Sequence, residues 1–165
     1  MDINYYCQEC DYRLRHKRAI REWLREVALC EGDLQIGEIN YIFCPSNVHR
    51  QMNIDFVGHD YFTDIITFDY SNLEDGYISG DIYIDYQTVT DNARIYKTTA
   101  ASEMLRVVVH GVLHLCGQGD KTPETEAVMH SKEDKYLKMF DEDFAPDFVT
   151  NSYRKLLKYI EKHGK

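Results

Sequence analysis

Hydrophobic positions change period several times along this chain, and each change marks an element. Ile3 to Arg13 alternates loosely and carries Tyr5, Tyr6 and Tyr12, which predicts a strand. Leu14 to Leu29 shifts to helical spacing, with Leu14, Ile20, Trp23, Leu24 and Val27 on one face, and Glu31-Gly32-Asp33 follows as a stop. Glu38 to Cys44 returns to period two, after which Pro45-Ser46-Asn47 opens a short helix that should aim Val48, Met52 and Phe56 at the core. Thr63 to Tyr70 and Gly80 to Asp85 are rich in β-branched and aromatic residues and predict a third and a fourth strand around the loop Ser71 to Ser79. From Tyr86 onward the spacing is helical, over Gln87 to Tyr96, Thr99 to Cys116, Pro123 to Phe140 and a polar tail near Asn151 to Lys162. Strands first and helices last predict an α+β fold with one small sheet.

A length of 165 residues with 44% hydrophobic positions suits one domain over 1–165, ending in a helical tail from about residue 146. The longest apolar stretch, Val107 to Cys116, is broken by two histidines and is far shorter than the roughly 20 residues that span a bilayer, so no membrane anchor is expected. The first residues lack the basic and apolar regions of a secretory leader, which points to the cytoplasm. Five cysteines (Cys7, Cys10, Cys30, Cys44, Cys116) are odd in number and scattered, and they read as reduced thiols. Cys7 and Cys10 stand at metal-ligand spacing, but a zinc knuckle needs a second pair and none follows. With 19 basic against 28 acidic residues the formal charge is −9, so any nucleic-acid site must be a local patch.

The chemistry concentrates near His110 and His114. Four residues apart on a helix, two imidazoles share a face one turn apart and can meet one ion. Gly117 and Gly119 let the chain leave the helix and fold back, which makes Asp120 the natural third ligand. Two histidines and a carboxylate leave a coordination position open on Zn²⁺, as a catalytic site requires. A zincin protease carries its general-base Glu directly after the first histidine, whereas Gly111 stands there in this chain, which speaks against peptide hydrolysis.

The segment His110-Gly111-Val112-Leu113-His114-Leu115-Cys116-Gly117 resembles the signature of the YbeY family of bacterial metal-dependent endoribonucleases, H-G-x-L-H-L-x-G-x-D-H. Asn53 to Phe68, with Gly58, Asp60-Tyr61 and Thr63 to Phe68, resembles a second family block, Gly80-Asp81-Ile82 resembles its G-D-I strand, and Glu126 to Met129 with Glu133 resembles its helix after the site. The likeness runs from Glu38 to Phe140 in the family's order. It implies a small mixed sheet under helices, one Zn²⁺ on three ligands, and cleavage of single-stranded RNA in maturation of small-subunit ribosomal RNA.

Two positions leave the family pattern. Its third ligand is a histidine where this chain has Asp120, an oxygen donor that should widen tolerance toward Mn²⁺ or Mg²⁺. Val57 replaces an arginine expected to face the substrate phosphate, which leaves Arg50, His59 and Arg106 as substitutes. The run Arg13, Arg15, His16, Lys17, Arg18, Arg21 and Arg25 is either a solvated helix face or a strip for an RNA backbone, with Arg18 and Arg21 as its centre. The expectation is a zinc endoribonuclease acting on ribosomal RNA through His110, His114 and Asp120. Its alternatives are a metallohydrolase of another substrate, such as a peptide, and a non-catalytic ribosome-assembly factor braced by metal. Should Asp120 not be the third ligand, His130 and Glu126 come next.

Overall fold

The computed structural model describes residues 2–57 and 63–163. In chain order the elements are β1 (Asp2–Cys7), α1 (Lys17–Gly32), β2 (Gln35–Cys44), α2 (Ser46–Met52), a π-helical turn (Asn53–Val57), β3 (Ile65–Asp69), β4 (Tyr77–Asp85), α3 (Tyr86–Ile95), α4 (Ala100–Leu115), α5 (Pro123–Met139), a second π-helical turn (Phe140–Phe144) and α6 (Phe148–His163). The four strands form one mixed sheet in the order β1-β2-β4-β3, with β1 and β4 parallel to β2, and β3 antiparallel to β4. The α+β class and the small mixed sheet thus stand as expected.

The period-two pattern of β2 and β4 sends Ile39, Tyr41, Phe43, Ile78, Ile82 and Ile84 into the core, all 2% exposed or less. On the other face a polar row fixes the register: Asn4 donates to Asn40 and Asn40 to Asp81, each at 3.0 Å, and these three residues are paired neighbours across β1, β2 and β4. Helix α4 is hydrophobic almost all round, and it lies buried against α1, α3, α5 and the sheet. The hydroxyl of Tyr41 donates to the Val108 carbonyl at 2.8 Å inside the core, and the Trp23 indole ties α1 to α5 through the Tyr136 carbonyl at 2.9 Å.

Several expectations change. Strand β1 ends at Cys7 rather than Arg13, because Cys7 and Cys10 are joined as a disulfide across Cα atoms 5.7 Å apart and Glu9 between them takes a left-handed φ of 55°. The reading of five reduced thiols therefore fails for that pair, and Cys30, Cys44 and Cys116 are the free ones. Phe56 is 68% exposed instead of core-facing. His49 of α2 and Asn53 face inward, and the π-helical turn that starts at Asn53 adds a residue to the repeat and shifts the phase beyond it, where Phe56 meets Phe68 edge-on. Among the described residues no helix is long and apolar enough to cross a membrane.

Candidate metal centre

Helix α4 begins at Thr99, whose side chain accepts from the Ser102 amide, and ends at Cys116. Its approach to the sheet depends on Gly111: a Cβ there would stand 2.8 Å from Ile82 Cδ1 and 3.3 Å from Ile65 Cδ1. With hydrogen alone at that position the helix sits low on β3 and β4, and the flanking residues His110 and His114 emerge together at the sheet's rim. The helix is closed by Gly117, at φ 98°, with its amide on the His114 carbonyl and the Gln118 amide on Leu113. The chain then doubles back and delivers Asp120. Lys132 holds the returning loop, donating to Gln118 at 2.7 Å and to Glu31 of α1 at 2.6 Å.

Among the described residues, His110, His114 and Asp120 form the group that could hold a metal ion, with ligand atoms all within 4.8 Å of one another. Asp120 Oδ2 lies 3.4 Å from His110 Nε2 and 3.3 Å from His114 Nε2, and the two rings meet nearly perpendicular at 4.6 Å. The three side chains expected from the motif are brought together. His130 and Glu126 are not in the group, and His130 stands exposed on α5.

Behind His110 lies a chain of charges that motif reading did not supply. His110 Nδ1 donates to Glu133 Oε2 at 2.7 Å, and Glu133 Oε1 accepts from Arg106 at 2.9 Å. Arg106 in turn pairs with Asp134. Burial alone would lower the His110 pKa, but the Glu133 hydrogen bond and charge, with Asp120 and Asp64 nearby, raise it above the ordinary value. For His114, burial and then the neighbouring His110 charge lower it. Glu133 was quoted in the family likeness, yet its role follows only from α5 packing on α4. The available signal was the stripe Glu103, Arg106, His110 and His114 on one helix face, which demands a charged partner opposite.

The arginines expected on RNA divide. Arg106 pairs with Glu133 and Asp134, its side chain 22% exposed, which leaves its remaining N–H donors for any contact with RNA. Arg21 donates to the Ile3 carbonyl at 2.9 Å and lies over the Tyr5 ring, which ties α1 to β1. Arg18 and Arg50 are exposed, and His59 lies outside the described residues. Glu31 at the far end of α1 reaches the metal loop through Lys132, so Arg18, thirteen residues earlier, sits about 20 Å down the helix from that contact.

Comparison with known proteins matches this architecture. The family model described as Endoribonuclease YbeY matches residues 3–141. The Endoribonuclease YbeY of Cytophaga hutchinsonii is 44% identical over 137 residues, covering 83% of this chain and 94% of that protein. That of Flavobacterium psychrophilum is 43% identical over 140 residues, covering 85% and 96%. A Thermotoga maritima protein solved in solution superposes with a TM-score of 0.63 at 28% identity, over 90% of this chain and 95% of its own. With the histidine helix, the returning aspartate and the mixed sheet all falling within the matched span, the chain belongs to the YbeY family.

Proposed function

We propose that this chain is a metal-dependent endoribonuclease of one domain that cleaves single-stranded RNA in the cytoplasm, with ribosomal RNA of the small subunit as substrate and Zn²⁺ as its ion. The observation that carries the reading is the convergence of His110 Nε2 and His114 Nε2 on Asp120 Oδ2 at 3.4 and 3.3 Å. Membership in a family described as endoribonucleases supports the reaction class.

The donor set fits a divalent ion. Two imidazole nitrogens and one carboxylate oxygen are ligands zinc accepts in open catalytic sites. Because Glu133 accepts a hydrogen bond from His110 Nδ1–H, the Nε2 lone pair is left facing Asp120. Bound there, the ion would supply Lewis acidity toward a phosphodiester oxygen and an activated water for attack at phosphorus. The protein's own contribution is positional: His110, His114 and Asp120 bind, Glu133 fixes the His110 tautomer, and Arg106 holds Glu133. Asp120 brings a harder, anionic donor than the family's histidine, which favours activity with Mn²⁺ or Mg²⁺ alongside Zn²⁺. Arg18, Arg21, Arg50 and Arg106 are the candidates for the RNA backbone, Arg21 and Arg106 with the donors their internal bonds leave over.

The test is elemental analysis of the purified protein paired with cleavage of a single-stranded RNA, with and without chelator. One metal per chain and chelator-sensitive cleavage are expected, both lost in Asp120→Ala. A protein that holds its metal and binds RNA without cutting it would overturn the reading in favour of an assembly factor.

A further inference from the structure

We propose that the cavity beside the metal centre is a nucleobase subsite that takes the donor edge of a guanine. It rests on the endoribonuclease reading and gives that reading a base preference. The cavity, of 140 Å³, lies between the start of β3 and helix α4, with Asp64, Glu103 and Arg106 as polar walls and Ile65 and Val107 as apolar ones. His110 is the wall it shares with the metal centre, presenting Nδ1 toward Glu133 and Nε2 toward Asp120. A base in the cavity therefore belongs to a nucleotide adjoining the ion.

Glu103 is the unexplained group. It is 7% exposed, lines the cavity, and receives no hydrogen bond or ion pair from any described residue. Arg106, one turn further along α4, is taken up by Glu133 and Asp134. Burial pushes the carboxyls of both Glu103 and Asp64 upward, since nothing in the chain compensates it fully. Among the described residues the buried side-chain atom without a hydrogen-bond partner is His49 Nδ1, so the Glu103 and Asp64 oxygens reach water in the free protein, and a ligand that offers donors can take the water's place.

The shape argues against a second ion. Among the described residues, the group with ligand atoms close enough for one is His110, His114 and Asp120. The cavity is also several times the roughly 30 Å³ that one water occupies in the liquid. A planar ring with spread donors fits better. Guanine offers adjacent N1–H and N2–H₂ donors to carboxylates, while its O6 can accept from a guanidinium such as Arg106. The other bases set a single donor group beside acceptors on that edge. Ile65 and Val107 supply apolar faces for the ring, as single-stranded RNA readers do for unstacked bases.

The experiment titrates the metal-loaded full chain with GMP, IMP, AMP, CMP and UMP by calorimetry, and assays RNA cleavage in parallel. GMP should bind about tenfold more tightly than AMP, CMP or UMP, with IMP, which lacks the 2-amino group, between them. Glu103→Gln, which keeps the shape but turns one acceptor into a donor, should erase that tenfold preference with metal content unchanged, and Asp64→Asn should act in the same direction. Equal affinity for all nucleotides, no binding at millimolar concentration, or a preference untouched by both substitutions overturns the subsite. If neither variant folds, the wild-type ranking decides alone. Wild-type protein that cleaves RNA but binds all nucleotides equally sinks the subsite and leaves the endoribonuclease standing. A guanine preference that depends on Glu103 in a protein that cleaves no RNA does the reverse.

Discussion

His110 and His114 stand one turn apart on the same helix, yet their surroundings differ in kind. His110 is backed by Glu133, which is backed by Arg106, which is backed by Asp134, a relay reaching from α4 across α5. Among the described residues His114 is backed by the Gln118 backbone rather than by a second carboxylate; its charged neighbours are Asp120 and His110 itself, and its side chain is 32% exposed against 20% for His110. The opposite pKa directions of the two rings express this difference. His110 would bind with its tautomer and orientation fixed by a charged relay, and His114 with a backbone group of the returning loop behind it. A metal site on these residues would have one rigidly backed donor and one more lightly backed.

The comparison can be broken most severely at the more lightly backed side. His114→Ala leaves two ligands, and metal affinity should fall by more than about a hundredfold, beyond what loss of an outer partner causes; elemental analysis showing full occupancy would refute the ligand set. Glu133→Gln attacks the rigid side. Metal affinity should drop by about 10–100-fold, the usual cost of removing an outer-shell partner, with all three ligands intact. Competition with a chromogenic chelator measures it, and an unchanged affinity would mean that His110 needs no backing. Gly111→Ala moves both rings at once, because its Cβ collides with Ile82 in the core. Urea unfolding should show a loss of about 1 kcal/mol or more, although alanine is the better helix former.

The smallest effect uses a third histidine as contrast. His49 is 1% exposed, its Nε2 donates to the Tyr83 carbonyl at 2.9 Å, and its Nδ1 is buried without a partner among the described residues. Burial lowers its pKa, so below the unfolded value near 6.5 the unfolded chain binds the extra proton first. The stability that His49 contributes is complete above about pH 6.5 and declines as pH falls toward its lowered folded pKa, at no more than about 1.4 kcal/mol per pH unit. Unfolding curves between pH 7.5 and 5.5 on wild type and His49→Gln should show the steeper decline in wild type. Parallel curves would remove His49 as the cause.

The metal cluster was legible because its determinants are local. A spacing of four on a helix, two glycines and an aspartate within eleven residues fix the geometry before any tertiary contact is known. The relay behind His110 was not, since Arg106 and Glu133 are 27 residues apart and meet only when α5 docks on α4. The charge of Arg106 is legible in the sequence, and its carboxylate partners are not. The same holds for Arg21, whose acceptor is a carbonyl on β1. The strands were legible from their alternation, but the order β1-β2-β4-β3 depends on crossovers that periodicity does not encode. Phe56 failed for a subtler reason: a π-helical turn breaks the 3.6-residue phase on which helical face assignments depend.

The seating of α4 gives the metal centre one fixed jaw and one sliding jaw. Gly111 against Ile82 and the Tyr41 hydroxyl on Val108 clamp the helix against both translation and rotation, so the spacing of the two imidazoles is set by the scaffold. Asp120 sits on a loop where Gly119 has nothing within 4 Å of its would-be side chain, and the loop is tied through Gln118, which accepts from Lys132 and donates to the Gly119 carbonyl. Exchange between ions of different radius should then be absorbed by travel of the aspartate, with the histidine pair unmoved. Metal–ligand distances from X-ray absorption of the Zn²⁺ and Mn²⁺ forms would record this as a longer oxygen shell at constant separation of the nitrogens.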